Sequence, residues 1–128
     1  MLTAIIDHKK DTLIVELPCG NLDLQMKLMS IGIRQPPNQI HLFGTEDDEV
    51  HVQLASNVES IQYLPALFCE DDTLARANVV TDILSRLDPS AFDEIAEGLR
   101  EDRYETVSDL LEDVREVTSE NAQGMGGM

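Results

Sequence analysis

Apart from carboxylates, the residue types that most often do chemistry in enzymes are sparse here. The histidines are His8, His41 and His51, and no HxH or HExxH spacing suggests a metal site. No GxSxG, P-loop or GxGxxG motif occurs. Acid pairs such as Asp93 and Glu97 could in principle hydrolyse glycosides, but the chain has no Trp to form a sugar platform. We therefore expect a protein that is not an enzyme and that binds no metal and no cofactor.

Carboxylates dominate the charge of the chain. Its 128 residues contain 25 Asp and Glu against 9 Lys and Arg, for a formal net charge of −16. Residues 65–128 hold 16 acids and 5 bases, a net −11, whereas residues 1–64 have a net −5. Such charge disfavours direct binding to nucleic acid or to an anionic membrane. It favours basic protein surfaces as partners, including those that hold DNA.

The first half of the chain predicts two β-hairpins with one helix between them. Residues 2–6 and 13–17 are apolar runs separated by DHKKD, which indicates the first hairpin. Residues 39–43 and 50–54 alternate around the turn GTEDDE, which indicates the second.

A helix is predicted from an N-cap at Asn21 to about Ser30. Leu22, Met26 and Met29 follow the spacing i, i+4, i+7, Leu24 and Leu28 lie close by, and Gly32 ends the helix.

The second half predicts three or four helices. Asp72 or Thr73 caps a helix with apolar residues at every third or fourth position from Leu74 to Leu87. Asp88 followed by Pro89 favours the start of the next helix, in which Gly98 leaves the last turn uncertain. The final helix is expected over residues 103–117.

The predicted fold class is therefore α+β, in the order β-β-α-β-β followed by three or four helices. We expect one acidic domain over residues 1–118 and a disordered glycine-rich tail over residues 119–128. Cys19 and Cys69 have no CxxC spacing and are expected to be buried thiols. The N-terminus has no signal-peptide pattern and no run is long enough to span a bilayer, so we expect a cytoplasmic protein.

The last two predicted helices each combine one apolar face with one carboxylate face. At about 100° per residue, their acids cluster opposite residues such as Ile95 and Val114. An ordinary interpretation is a solvated face, but here the excess spans several elements. Rows of carboxylates on a rigid helix approximate the regular charges of B-DNA. The residues predicted to form a partner-binding acidic surface are Asp71, Asp72, Asp82, Asp93, Glu94, Glu97, Glu101, Glu105, Asp109, Glu112, Asp113 and Glu116.

Three stretches resemble the ArdA family of antirestriction proteins: VELPCGNLDLQMKLMSIGI, the pair QIHLFG and VHVQLA, and DTLARANVVTDILSRLD. The resemblance covers about residues 13–115. The residues that match the family pattern are Leu17, Pro18, Leu22, Leu28, Ile31 and Gly32, with Asn78, Val80, Leu84 and Leu87 matching loosely.

The resemblance implies a dimeric acidic DNA mimic, carried by a mobile element, that inhibits type I restriction-modification enzymes by binding their DNA-recognition parts. It implies no catalytic residues. The alternative is a mobile-element or phage accessory protein whose acidic helices bind another basic protein or keep a small dimerisation module in solution.

Overall fold

A computed structural model describes residues 1–43 and 50–126, with side chains as far as Thr118. The chain is a mixed α+β protein, which confirms the predicted class. Three strands, four α-helices and three short 3₁₀ helices occur within these ranges. The strands are β1 (Leu2–His8), β2 (Asp11–Leu17) and β3 (Val50–Ser56); the helices are α1 (Asn21–Ser30), α2 (Leu74–Ser85), α3 (Pro89–Arg100) and α4 (Val107–Gly126); the 3₁₀ helices are Pro37–Gln39, Glu59–Ile61 and Leu64–Leu67.

The three strands form one antiparallel sheet in the order β2-β1-β3. The first hairpin is confirmed, because Leu2 lies opposite Leu17 and His8 opposite Asp11. Lys9 has a positive φ in its tight turn. Alternate residues of β1 are fully buried, so one face of the sheet packs on the core.

The second predicted hairpin is wrong. β3 pairs with β1, and residues 39–43 form no strand. Two backbone bonds join this segment to the start of α2: the Leu42 N–H donates to the Asp72 carbonyl at 2.9 Å, and the Leu74 N–H donates to the Ile40 carbonyl at 2.8 Å. A single bond, from the Phe43 N–H to the Val52 carbonyl at 2.9 Å, joins it to β3. Since the two bonds to the start of α2 satisfy polar backbone groups, the segment lies beside α2. The predicted turn falls on residues 44–49, outside the described ranges.

The extent of α1 is as predicted, but only two of the five apolar residues named for it face the core. Leu24 and Leu28 are fully buried, whereas Leu22, Met26 and Met29 are exposed. Both sets have helical spacing, and packing against the core selects the leucine pair. Gly20 occupies the N-cap position predicted for Asn21.

The starts of α2 and α3 confirm their predicted caps. Thr73 Oγ1 accepts from the Arg76 N–H at 3.2 Å, and Asp88 Oδ1 accepts from the Ala91 N–H at 2.8 Å, with Pro89 as the first helical residue. α3 continues through Gly98 to Arg100.

α4 begins at Val107, later than the predicted residue 103, and is assigned to Gly126. The predicted disordered tail and the domain limit at residue 118 stay predictions. The expectation of two buried thiols is wrong for Cys69, which is exposed, while Cys19 is half-buried. Over the described ranges, every helix is too short or too polar to cross a membrane.

Candidate acidic surface

α3 places its carboxylates on the side away from the core. Ile95 and Leu99 are buried, while Asp93, Glu94 and Glu97 are exposed. Glu101 follows the last turn and is exposed as well. The amphipathic pattern predicted from the sequence is therefore present in the fold.

α4 repeats this arrangement. Leu110 and Val114 are buried, and Asp109, Glu112 and Glu116 are exposed. α3 and α4 pack against each other, so the two carboxylate faces belong to one helical hairpin.

Thr106 and Asp109 form a reciprocal cap at the start of α4. The Asp109 N–H donates to Thr106 Oγ1 at 3.2 Å, and Asp109 Oδ2 accepts from the Thr106 N–H at 3.3 Å. This capping box explains why the helix begins at Val107. Asp109 therefore also has a structural role, which the T-x-x-D spacing of the sequence could have indicated.

Tyr104 is buried and contacts both α3 and α4. Its ring lies directly over Gly98, where an added Cβ would meet Tyr104 Oη at 2.5 Å and Cζ at 2.7 Å. Its hydroxyl donates to Asp113 Oδ2 on α4. Burial and this hydrogen bond raise the pKa of the Tyr104 hydroxyl above its ordinary value. We call Gly98, Tyr104 and Asp113 the clasp.

Two arginines interrupt the carboxylates of α3. Arg103 Nε lies 3.4 Å from Glu101 Oε2, and Arg103 Nη2 donates to the Glu94 carbonyl at 3.3 Å. Arg100 and Arg103 both line a shallow groove of about 720 Å³ together with the α3 acids. Arg103 thus offsets the charge of Glu101, and Arg100 adds a second positive charge to the groove beside the α3 acids.

Most carboxylates of the hairpin have no such partner. Over residues 93–116 the sequence holds ten carboxylates against three arginines, a net −7. Besides Asp102, which lies between α3 and α4, six exposed carboxylates there make no ion pair or hydrogen bond with the described part of the chain: Asp93, Glu94, Glu97, Glu105, Glu112 and Glu116. We call these six the acidic surface.

Two of the three acids predicted on or near α2 form ion pairs within the protein, unlike the six of the acidic surface. Asp72 Oδ1 lies 3.1 Å from Arg76 Nε, and Arg76 Nη2 in turn bonds to Ser108 Oγ of α4 at 3.0 Å. Asp82 Oδ2 lies 3.3 Å from Arg86 Nε, towards the other end of α2. Asp71 is exposed. The structure thus links Asp72 to the start of α4 and leaves Asp82 apart from it.

The histidines are not gathered into a site. His8 is buried, with Nδ1 2.7 Å from the Ile31 carbonyl oxygen, and His41 Nδ1 lies 3.3 Å from the Glu70 carbonyl oxygen. In the described residues, no three His, Cys, Asp or Glu side chains are grouped to hold a metal ion.

Comparison with known proteins gives no relative from which function could be transferred. No family model, curated protein or solved structure matches the chain.

Proposed function

We propose that this protein is a non-enzymatic DNA mimic that uses the acidic surface to occupy the basic DNA-binding site of another protein. The observation that carries the proposal is the set of six unpaired, exposed carboxylates on a single helical hairpin. An unpaired carboxylate at the surface can exchange water and counterions for an arginine or lysine of a partner without breaking an internal bond.

The charge density of the hairpin suits this role. Carboxylates four residues apart lie about 6 Å apart along a helix axis, so one helix carries about half the linear charge of a DNA strand, which has one phosphate per 3.4 Å. Two packed helices together approach the density of one strand. The clasp supports the mimicry because it fixes α3 against α4 and so limits the motion of the carboxylate rows.

The target we propose is the DNA-recognition part of a type I restriction-modification enzyme. This choice rests on the sequence resemblance to the ArdA family, which implies that partner. The protein would protect incoming DNA by competing with it for the same basic channel.

The proposal is tested by titrating the protein into a type I restriction-modification enzyme while DNA cleavage and methylation are measured. We expect inhibition that added DNA relieves and that fades with salt. Three neutralising changes on the acidic surface should weaken inhibition roughly tenfold, since each exposed charge contributes only modestly. The changes are Glu97→Gln, Glu112→Gln and Glu116→Gln.

A matched control removes three charges elsewhere, so that both variants have the same net charge. The control changes are Asp11→Asn, Asp23→Asn and Glu70→Gln, all at exposed positions. Equal weakening by both variants would show that total charge matters and the acidic surface does not. No inhibition by the unmodified protein at low ionic strength would contradict the proposed target.

A further inference from the structure

A groove of about 470 Å³ lies next to the acidic surface, between the 3₁₀ helix Leu64–Leu67 and the end of α3. Its apolar lining includes Tyr63, Leu67, Leu99 and Tyr104. Leu99 and Tyr104 are buried, whereas Tyr63 is 52% exposed. We call this the Tyr63 groove. An exposed tyrosine beside apolar side chains suits a binding surface, because tyrosine is enriched among the residues that contribute most to protein–protein affinity.

The hydrogen bonds of the described residues do not use the Tyr63 side chain. Tyr63 precedes the 3₁₀ helix, and its main-chain carbonyl accepts from the Ala66 N–H at 3.2 Å. Any side chain at position 63 allows that bond. Among the described residues, the Tyr63 hydroxyl has no hydrogen-bond partner, whereas the Tyr104 hydroxyl donates to Asp113. A partner can therefore cover the Tyr63 ring without breaking a hydrogen bond within this part of the protein.

Carboxylates outnumber arginines around the Tyr63 groove. Asp102 and Glu105 line it, are exposed, and make no ion pair with the described part of the chain. Arg100 lines it as well, but Arg100 also borders the shallow groove that holds Glu97 and the other α3 acids. Because Glu105 belongs to the acidic surface, a partner that is attracted to that surface also meets the Tyr63 groove.

We propose that the Tyr63 groove binds an arginine side chain of the basic partner, with the guanidinium against the Tyr63 ring and paired with Asp102 or Glu105. This inference rests on the proposed function, because it assumes that a basic protein binds the acidic surface. A guanidinium is planar, stacks on aromatic rings and pairs with a carboxylate through two parallel hydrogen bonds. The ammonium of lysine is a strongly hydrated point charge that offers no such plane.

The Tyr63 groove therefore adds a preference that the acidic surface alone does not have. Separated carboxylates attract arginine and lysine alike, since the attraction depends on charge and distance. Stacking on an exposed aromatic ring strengthens the binding of a cation by about two- to fivefold, and by more where the contact excludes water. We expect an arginine peptide to bind about threefold or more tightly than a lysine peptide of the same length. Salt should weaken both and leave their ratio unchanged, because the screened charges are the same.

The experiment is titration of the isotope-labelled full chain with an oligo-arginine amide and, separately, with the oligo-lysine amide of the same length, followed by amide chemical shifts in NMR spectra. The arginine peptide should bind more tightly and should shift the amide signals of Ala66 and Leu67, which both line the groove. Tyr63→Leu should remove the preference and change the affinity for the lysine peptide by less than about twofold. Tyr63→Phe keeps the ring and should keep the preference.

The acidic-surface variant is the second control. Glu97→Gln, Glu112→Gln and Glu116→Gln together should weaken both peptides by the same factor and preserve their ratio, because these residues lie outside the Tyr63 groove. Circular dichroism should show the Tyr63 variants folded, since the bond from Ala66 to position 63 is made by the main chain.

Equal affinity of the wild-type protein for the two peptides would overturn the inference, even if the protein inhibits a type I restriction-modification enzyme. So would a preference for arginine that survives Tyr63→Leu, or arginine-specific shifts that leave Ala66 and Leu67 unaffected. The last comparison uses the wild-type protein and decides the matter even if Tyr63→Leu fails to fold. A preference for arginine that depends on Tyr63, found together with no inhibition of the enzyme, would support the Tyr63 groove and contradict the proposed target alone.

Discussion

Replacing Gly98 by alanine should destabilise the protein, although glycine to alanine inside a helix ordinarily stabilises by about 1 kcal/mol. The new Cβ would stand 2.5 Å from Tyr104 Oη and 2.7 Å from Cε2 and Cζ, closer than carbon atoms tolerate. The ring cannot move away freely, because it is buried and its hydroxyl is bonded to Asp113.

The magnitude follows from three contributions. Overpacking a buried contact costs about 1–3 kcal/mol. Displacing the ring also weakens a hydrogen bond to a charged acceptor, worth about 1.5–3 kcal/mol. After subtracting the helix-propensity gain of about 1 kcal/mol, we expect Gly98→Ala to lower the free energy of unfolding by about 1.5–5 kcal/mol.

The assay is urea unfolding followed by circular dichroism, in a double-mutant cycle with Tyr104→Leu. Leucine lacks the ring atoms that lie over Gly98, so in that background Gly98→Ala should become stabilising by about 0.5–1 kcal/mol. Gly20→Ala is the control for added bulk, because its Cβ would meet nothing closer than 4.0 Å; since Gly20 is the N-cap of α1, it should cost no more than about 1 kcal/mol, and that cost should be the same with Tyr104 or Leu at position 104. A stabilising effect of Gly98→Ala while Tyr104 is intact would contradict a close packing of the Tyr104 ring on Gly98.

Three further predictions follow from individual contacts. Asp88→Ala should cost about 1 kcal/mol in urea unfolding, because it removes the cap of α3, and Asp88→Ser should recover most of it. Folding raises the pKa of the Tyr104 hydroxyl, so its contribution to stability is complete below the unfolded pKa of about 10 and is lost as pH rises through and beyond that value. Tyr104→Phe should therefore make the free energy of unfolding fall less steeply with pH in alkaline solution. An unchanged dependence of that free energy on pH would contradict this. Cys69 should react with a thiol reagent faster than Cys19, because Cys69 is exposed whereas burial raises the pKa of the Cys19 thiol. The two rates are measured in variants that each keep one of the two cysteines. Equal rates would contradict the described fold around Cys19.

The sequence predicts best the elements whose signals are local. The DHKKD hairpin and the Asp88–Pro89 helix start are confirmed because turn and capping chemistry depends on adjacent residues. The choice between two apolar stripes on α1 is not local. It depends on how the helix packs on the core, so the spacing alone does not indicate that Leu24 is buried while Leu22 and Met26 are exposed.

Long-range pairing is the second place where sequence reasoning fails. Residues 39–43 alternate as a strand would, but Ile40 and Leu42 bond to residues far along the chain at the start of α2, and Phe43 alone of these three bonds to β3. Alternation shows that a segment can lie half-buried in an extended form and does not identify its partner.

The carboxylate faces of α3 and α4 follow from helical periodicity, and the structure places them as expected. The T-x-x-D spacing could have indicated that Asp109 is already engaged, whereas nothing local in the sequence indicates that Asp113 is. Asp113 is held by Tyr104, and Asp109 caps its own helix, so two of the predicted binding residues also maintain the hairpin.

The most direct test of DNA mimicry is displacement of a fluorescent DNA duplex from the isolated DNA-recognition subunit of a type I restriction-modification enzyme, measured by anisotropy at several salt concentrations. DNA mimicry predicts that the protein displaces all of the duplex at low ionic strength and that its affinity for the subunit falls steeply as salt is added. The dependence of this affinity on salt should be weaker when Glu97, Glu112 and Glu116 are changed to glutamine. Duplex that stays bound at low ionic strength, or a salt slope unchanged by the three substitutions, would contradict it.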